Sequence, residues 1–232
     1  MLTLTKLTLD GRPRWYLFFG SRLPSPLVVH KPEAVRAFER TGRCLFYLHA
    51  EPPLLLKVKV DKYSPGRQLL RWIGRILLWE RLLLQTDAHT EFRGNRRYRS
   101  AGLSPVVAHG WGVALNPLNR LGSVYVMDYL ADAVSGKKFF EQAGEEERRA
   151  FLDAFCDDVV RLARHGLYSR DAHLDNLLVT GEGRFVWIDT RLSRLPFSRG
   201  RRKKVLVESV ARKILGQEYR EYVRARLTRL LG

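Results

Sequence analysis

The stretch that decides the fold is His165–Arg191, which reads HGLYSRDAHLDNLLVTGEGRFVWIDTR. Two short apolar runs, Leu177–Thr180 and Arg184–Ile188, flank the turn Gly181-Glu182-Gly183. Apolar, β-branched and aromatic residues on both sides of a glycine-containing turn predict an antiparallel hairpin. Polar side chains stand directly before the first predicted strand and directly after the second.

The predicted hairpin brings oxygen-bearing side chains to one end. Asn176 precedes the first strand and Asp189 follows the second, and these two chain positions lie side by side in an antiparallel pair. Carboxylate and amide oxygens are hard ligands suited to Mg²⁺. Asp171 lies on the preceding loop and can face the same point. Each residue also has an ordinary interpretation, because Asp and Asn favour turns and strand ends.

The spacing D-x4-N, followed after 13 residues by a second Asp, resembles the catalytic and metal loops of the protein-kinase-like superfamily. It is most similar to the small bacterial lipopolysaccharide core kinases, which phosphorylate heptose or Kdo. The resemblance implies that Asp171 is the catalytic base and that Asn176 and Asp189 bind Mg²⁺. It also places His173 in the catalytic loop, where these sugar kinases often carry a His and protein kinases a Lys.

A kinase also needs a lysine on a strand to hold the phosphates of ATP, paired with a helical glutamate. The resemblance implies Lys57, at the end of the run LLLK, for the phosphates and Glu91 for orienting Lys57. Lys59 lies on the same strand face and stays an alternative; Lys57 is favoured because it closes the apolar run. Lys57 also fits an edge-strand lysine, and Glu91 an ordinary acid in the first turn of a helix.

The sequence departs from the kinase pattern at several positions. Ser169 stands where a His two places before the catalytic Asp is usual, and Ala172 replaces the following Leu. Thr190-Arg191 follows Asp189 in place of Phe-Gly, and Arg40-Thr41-Gly42-Arg43 is the turn nearest to a glycine-rich loop. Only 43 residues follow Asp189, so a full protein-kinase second lobe with its peptide-binding segment is not expected.

Hydrophobic periodicity outside this stretch predicts strands in the first part of the chain and helices in the second. The predicted strands are Leu2–Leu9, Trp15–Phe19, Cys44–His49, Leu54–Val60, Val106–Trp111 and Ser123–Met127. The predicted helices are Pro32–Arg40, Arg67–Leu84, Glu91–Ser100 and Gly144–His165. Together with the motif they predict an α+β, bilobal protein-kinase-like fold, with a strand-rich N-lobe at 1–127, a small helical C-lobe at 128–232 and the site between the lobes.

Composition excludes several classes of protein. The 232 residues are 45% hydrophobic and 28% charged, an ordinary globular balance. Two cysteines, Cys44 and Cys156, cannot form a disulfide scaffold, which favours a reducing, cytoplasmic location. The densest apolar run, Leu69–Leu84, contains charged residues and is not expected to span a membrane.

The net charge is +17, from 41 Lys and Arg against 24 Asp and Glu. From Arg191 onward there are 13 basic residues and three acidic ones. This excess indicates an anionic partner. Nucleic acid is not favoured, because no nucleic-acid-binding signature accompanies the run Arg199–Lys204. The predicted helix Arg67–Leu84 is basic and amphipathic, which fits either peripheral contact with the inner membrane face or packing on the sheet.

The sequence therefore favours an ATP- and Mg²⁺-dependent kinase that acts on a hydroxyl of an anionic lipid-linked sugar, heptose or Kdo of the lipopolysaccharide inner core. Two alternatives stay open. One is a kinase of another small molecule or of a protein. The other is a catalytically degenerate kinase-like protein that binds anionic partners through its basic surface.

Overall fold

The structure is a computed structural model and describes residues 1–36, 38–39 and 43–232. The chain divides into two compact units. The first unit contains Met1–Arg93 and Val107–Leu130, and the second contains Gly94–Val106 and Ala131–Gly232. The lobes at 1–127 and 128–232 stay a sequence-based prediction.

The first unit is built on an antiparallel sheet. Its strands are β1 (Leu2–Leu9), β2 (Arg12–Gly20), β3 (Cys44–His49), β4 (Leu54–Val60), β5 (Ala108–Ala114) and β6 (Leu121–Asp128). They are ordered β1-β2-β5-β6-β4-β3, so β4 lies between β3 and β6 in the sheet interior. Apolar side chains of this sheet, among them Tyr16, Phe18, Leu56 and Val126, are almost completely buried and form the core of the unit.

Asp10-Gly11 joins β1 to β2 as a two-residue turn. Both residues have positive φ, 50° for Asp10 and 72° for Gly11. Turns with two positive φ values match the twist of antiparallel strands, and Asp-Gly favours them. The turn fixes the register from Leu9 opposite Arg12 to Leu2 opposite Phe19.

Two helices of the first unit begin earlier than the periodicity predicts, whereas the helix predicted over Pro32–Arg40 begins at Glu33 and its last part lies partly outside the described residues. The helices of this unit are α1 (Glu33–Arg36), α2 (Pro65–Arg71), which continues as a π-helix (Trp72–Leu82), and α3 (Asp87–Ser100), whose second half belongs to the second unit. Pro65 starts α2 because proline suits the first turn of a helix. In α3, the Thr86 hydroxyl accepts a hydrogen bond from the His89 backbone N–H, which starts the helix one turn before the predicted Glu91.

The second unit is mainly helical. Its helices are α4 (Gly136–Gln142), α5 (Glu145–Arg164), α6 (Arg199–Lys203), α7 (Ser209–Ala211) and α8 (Gln217–Leu231), with a 3₁₀ turn at Leu174–Asn176 and a π-helical turn at Lys204–Glu208. Its short strands are β7 (Val134–Ser135), β8 (Leu167–Ser169), β9 (Leu177–Val179), β10 (Phe185–Trp187) and β11 (Leu192–Arg194). The helix predicted over Gly144–His165 is present as α5.

Helix α5 is the centre of this unit. The apolar positions that predict it, Phe151, Leu152, Phe155, Val159 and Leu162, are all buried. A helix with such a wide apolar stripe is stabilised by the elements packed on it. Because α8 and β8 both pack against α5, the loop that follows β8 starts from a fixed point.

No helix in the described part of the chain is long and apolar enough to cross a membrane.

Candidate active site

In the first unit, Lys57 and Glu91 form a buried ion pair. Lys57 lies on β4, between Phe46 of β3 and Tyr125 of β6, and its Nζ lies 2.8 and 2.9 Å from the two carboxylate oxygens of Glu91 on α3. Lys57 is 8% exposed and Glu91 1% exposed. A buried lysine held by both oxygens of one carboxylate has a fixed orientation.

Lys59 takes part in a second, weaker contact with α3. Its Nζ lies 3.7 Å from Asp87, whose side chain is nearly half exposed. Lys59 lies two residues after Lys57 on the same face of β4, and Asp87 lies four residues before Glu91 on the same face of α3. The second pair therefore repeats the first one further along both elements. The Lys57 pair is shorter and more deeply buried than the Lys59 pair, so Lys57 is the more rigidly held of the two lysines.

Helix α3 is fixed on the sheet of the first unit next to this ion pair. The ring of His89 stacks on Trp111 of β5, with 4.5 Å between ring centroids, and Trp111 stacks on Phe19 of β2 at the same distance. Burial lowers the pKa of His89, so its ring stays neutral in this stack. The stack holds the first turns of α3, and with them Glu91, at a set distance from β4.

In the second unit, Asp171 lies on an exposed loop supported by Ser169. The Asp171 backbone N–H donates to the Ser169 hydroxyl at 3.2 Å. Ser169 is buried at the end of β8, where it lies opposite Leu192 of β11. The serine that replaces the usual His therefore supports the loop through its own hydrogen bond. The Asp171 side chain is more than half exposed to solvent.

Asn176 connects the Asp171 loop to the residue before Asp189. Its side-chain Nδ2 donates to the backbone carbonyl of Asp171 at 2.7 Å. Its own carbonyl accepts from the backbone N–H of Ile188 at 2.9 Å. Beyond it, β9 and β10 pair as the sequence predicts, with Leu177 opposite Trp187. The predicted hairpin thus places Asn176 beside the start of the Asp189 turn.

Asp189 has a φ of 51°, in the left-handed region that few residues other than glycine adopt. Such a conformation costs about 1–3 kcal/mol and persists where the surrounding structure enforces it, often at functional positions. The Arg191 guanidinium lies 3.7 Å from the Asp189 carboxylate. The Thr190-Arg191 sequence therefore places a cation next to this carboxylate, where a Phe-Gly pair has none.

Three further contacts hold the strand that leads to Asp189. The indole of Trp187 donates to Asp158 on α5 at 2.7 Å, and burial raises the pKa of Asp158. The backbone of Trp187 pairs with the segment Ser104–Val106, and the carbonyl of Val106 accepts from the buried amide of Asn95. These contacts reach Trp187 from a helix and from a separate segment of chain.

Gly94 allows α3 to approach the turn after Asp189. A Cβ atom at this position would lie 1.7 Å from the backbone carbonyl oxygen of Thr190, far inside van der Waals contact. Thr190 is itself buried. Within the second unit, the part of α3 that begins at Gly94 thus packs against the backbone that follows Asp189.

His173 and Lys213 are two basic side chains at the Asp171 loop, His173 within it and Lys213 in contact with it. Burial lowers the pKa of His173, so its imidazole is neutral at pH 7. Lys213, between α7 and α8, donates to the carbonyl of Arg170 and lies 4.0 Å from the Asp171 carboxylate. Burial also lowers the pKa of Lys213, while Asp171 opposes this effect. Lys213 is a site residue that sequence reasoning missed.

The predicted magnesium ligands fit the metal by the chemistry of their donors. Among the described residues, no three His, Cys, Asp or Glu side chains gather as a ready metal site. Mg²⁺ is commonly held by one or two carboxylates together with substrate phosphates and waters. The Nδ2 of Asn176 is committed to the Asp171 carbonyl, which leaves its Oδ1 as the ligand atom. An amide oxygen and the carboxylate of Asp189 match this need.

The turn predicted to replace a glycine-rich loop, Arg40-Thr41-Gly42-Arg43, lies mostly outside the described residues. Asp128 is the last residue of β6, and Tyr129-Leu130 follow it. The Asp128 carboxylate lies 2.6 Å from His109, and the Tyr129 N–H donates to the Pro53 carbonyl at 3.0 Å.

Comparison with solved structures identifies the fold. The structure of WaaP in complex with acyl carrier protein is similar over 85% of this chain and 81% of that chain, with a TM-score of 0.52 and 18% sequence identity. The fold is protein-kinase-like. This confirms the α+β kinase-like fold class and, for the fold, the resemblance to the lipopolysaccharide core kinases.

A second similar structure is the PknI kinase domain of Mycobacterium tuberculosis. The two structures align over 75% of this chain and 69% of the PknI chain, with a TM-score of 0.41 and 17% sequence identity. No known family profile matches the chain, and no curated protein matches it.

Proposed function

We propose that the protein is a Mg²⁺-dependent kinase that transfers the γ-phosphoryl group of ATP to a hydroxyl of a lipid-linked sugar. The observation that carries the proposal is the network around Asn176. The Asn176 side chain donates a hydrogen bond to the backbone carbonyl of Asp171. The Asn176 backbone carbonyl accepts one from the N–H of Ile188, the residue before Asp189. Phosphoryl transfer depends mainly on positioning. One hydrogen-bond network that holds the proposed base and the two proposed Mg²⁺ ligands meets this need.

Each residue has a role in the proposed reaction. Asp171 accepts the proton of the attacking hydroxyl, and the neutral His173 lines the same loop. Asn176 and Asp189 hold Mg²⁺, which neutralises charge on the phosphates when bound. Lys57 binds the nucleotide phosphates and Glu91 orients Lys57. Lys213 adds a positive charge beside the base, where negative charge on the transferred phosphoryl group needs compensation.

The proposed acceptor is anionic and attached to a lipid, with inner-core heptose or Kdo of lipopolysaccharide as the first candidates. This proposal is supported by the sequence resemblance, by the net charge of +17 and by the exposed basic residues of α6. Together they favour a cytoplasmic enzyme in peripheral contact with the inner membrane face. Since WaaP was solved with acyl carrier protein, we also propose that protein as a candidate partner to be assayed.

The first experiment measures thermal unfolding with and without ATP and Mg²⁺. At a ligand concentration of 100 times Kd, the added stability is about 2.7 kcal/mol. For a chain of this size, that corresponds to a rise in Tm of about 5–10 °C. The rise is expected to need Mg²⁺ and to be lost in Asp189→Asn. No rise at millimolar ATP in the native protein would contradict the kinase and favour the degenerate, binding-only alternative.

A second measurement tests the base. Asp171→Asn should lower phosphoryl transfer by about 10²–10⁴-fold, yet keep the ATP-dependent rise in Tm, because Asp171 is exposed and not assigned to nucleotide binding. Asp132→Asn, another exposed acid of the second unit, serves as the matched control. Full activity of Asp171→Asn would refute the assignment of the base. Activity on a small molecule or a protein, with none on lipid-linked sugars, would move the proposal to the other kinase alternative.

A further inference from the structure

The helical segment from Pro65 to Leu82, together with Leu83 at its end, exposes an apolar face. From position 70 to 83, exposure alternates in pairs: two exposed residues are followed by two buried or half-buried ones, with a period of four. This period lies between that of an α-helix and that of the wider π-helix, and it matches the observed π-helix from Trp72 to Leu82. One stripe of the helix therefore faces solvent from Leu70 to its end.

We call this stripe the exposed ridge and define it by residues 70, 71, 74, 75, 78, 79, 82 and 83. Its members are four leucines, a tryptophan, two arginines and a glycine: Leu70, Arg71, Gly74, Arg75, Leu78, Trp79, Leu82 and Leu83. Leu70 is 84% and Leu82 71% exposed, and Leu78, Trp79 and Leu83 are each about half exposed. A continuous row of large apolar side chains in water marks an interaction surface.

The opposite side of the helix is anchored. Trp72 and Ile76 are buried. Near the end of the π-helix, Arg81 binds Asp61 at 2.6 Å and also donates to the carbonyl of Gly122. A Cβ atom on Gly122 would collide with Asp61, so the glycine makes room for this bond. The exposed ridge is thus presented on a fixed base.

The exposed charges on the ridge and just before it are basic, and one of them, Arg75, is paired with an acid. Arg71 and Arg75 belong to it, and Arg67 and Lys62 lie exposed just before it. The acid within the helix, Glu80, lies on the inner side and binds Arg75 at 3.1 Å. Among the described residues, the ridge therefore presents apolar and basic side chains and no carboxylate.

We propose that the exposed ridge docks on an anionic lipid bilayer. Leucines enter the acyl boundary, Trp79 lies at the interface, and the arginines extend their charged ends to lipid phosphates. A bilayer is favoured over a protein partner because leucines, which are under-represented among protein-interface hot spots, dominate the surface. The inference rests on the proposed function in one respect, since a lipid-linked acceptor gives the bilayer contact its use.

The experiment measures partitioning onto vesicles of phosphatidylcholine with one-third phosphatidylglycerol, compared with pure phosphatidylcholine. The native protein should bind the anionic vesicles at least tenfold more tightly than the neutral ones. Leu70→Ser with Leu82→Ser should lower binding at least tenfold. Arg67→Gln and Arg71→Gln should each lower it about fivefold, and only on anionic vesicles.

Matched variants make the result specific to the ridge. Leu115→Ser with Leu118→Ser removes two exposed leucines of the same unit, 50% and 64% exposed, outside the ridge. This variant should bind within twofold of the native protein. Brominated lipids should quench a fluorescence component that Trp79→Phe removes. Unchanged circular dichroism and Tm would show that the serine variants are folded.

Three outcomes would overturn the proposal. The first is vesicle binding by the Leu70→Ser, Leu82→Ser variant that is as tight as that of the native protein, or a loss of vesicle binding of the same size in the Leu115→Ser, Leu118→Ser control. The second is complete loss of vesicle binding in Arg201→Gln with Arg202→Gln, which would assign the bilayer contact to α6. The third is a lipid-free dimer that the ridge variant dissociates, which would assign the ridge to a second copy of the chain. Because these assays contain no ATP or sugar, they stand apart from the kinase proposal, and Asp171→Asn should bind vesicles as the native protein does.

Discussion

The chemistry of the second unit depends on a small number of side chains around Asp171. Its carboxylate is exposed, its backbone N–H is held by Ser169, and Lys213 lies 4.0 Å away. An exposed carboxylate next to a half-buried ammonium group can exchange a proton with a substrate while the positive charge beside it stays fixed. Ser169 thus supports the Asp171 loop from the adjoining strand β8, and Lys213 contacts it from a segment 43 residues after Arg170.

At this scale we predict the effect of Lys213 on rate and on pH dependence. Lys213→Met should lower kcat/KM about 10–100-fold, because it removes the cation beside the base. Burial places the pKa of Lys213 below the ordinary lysine value of 10.5. The protonated form acts, so activity should fall as pH rises through this lowered pKa.

Lys213→Arg should keep part of the activity and move the alkaline fall to higher pH, since arginine stays charged. The measurement is the pH profile of kcat/KM, with Arg212→Met, an exposed neighbour, as the control. An unchanged rate and profile in Lys213→Met would remove Lys213 from the site.

At the scale of elements, the pairing of β4 with α3 holds the proposed phosphate ligand. Lys57 and Glu91 are both buried, so each needs the other to offset the loss of water. Lys59 and Asp87 repeat the contact at the exposed edge of the same pair of elements. Burial, not charge, separates the two pairs in energy.

We therefore predict that Lys57→Met lowers the free energy of unfolding by about 3–5 kcal/mol, because it leaves the Glu91 carboxylate buried without its lysine. The double variant Lys57→Met, Glu91→Leu should recover most of that stability and still lack the ATP-dependent rise in Tm. Lys59→Met, the matched control, should cost less than about 1 kcal/mol. Urea unfolding gives the energies. Equal free energies of unfolding for Lys57→Met and Lys59→Met would show that the buried pair contributes no more to stability than the exposed one.

At the scale of the whole molecule, the charge of +17 acts on stability and on partners together. Like charges repel in the compact state and attract anions to the surface. The exposed ion pairs, such as Arg149 with Glu145 and with Glu218, contribute little individually. Net repulsion should therefore dominate the response to salt.

We predict that Tm rises by a few degrees when NaCl increases from about 20 to 300 mM, because salt screens this repulsion. Arg199→Glu with Arg201→Glu changes two exposed residues of α6 and lowers the net charge from +17 to +13. The variant should show a smaller dependence of Tm on salt. A Tm that falls with added salt would mean that attractive ion pairs outweigh the net repulsion.

The sequence by itself determined the local structures. Asp10-Gly11 specifies the first hairpin, the apolar runs around Gly181-Glu182-Gly183 specify the second, and the apolar stripe of α5 specifies its helix and its buried face. In each case the interactions that decide the structure join residues a few positions apart in the chain. The local sequence pattern is therefore enough to predict the element. The same locality explains why Asn176 lies beside the residue before Asp189, as the sequence predicts.

Only the tertiary structure decided which distant residues meet. Lys57 and Lys59 have the same sequence pattern, and burial against Glu91, 34 residues away, separates them. No sequence pattern near Asp171 predicts its contact with Lys213. Likewise, no pattern in α3 predicts that the carbonyl of Thr190 packs against Gly94. The exposed face of the segment from Trp72 to Leu82 likewise depends on its π-helical conformation, which the sequence pattern does not predict. These features arise from packing between remote segments, whose geometry no local pattern contains.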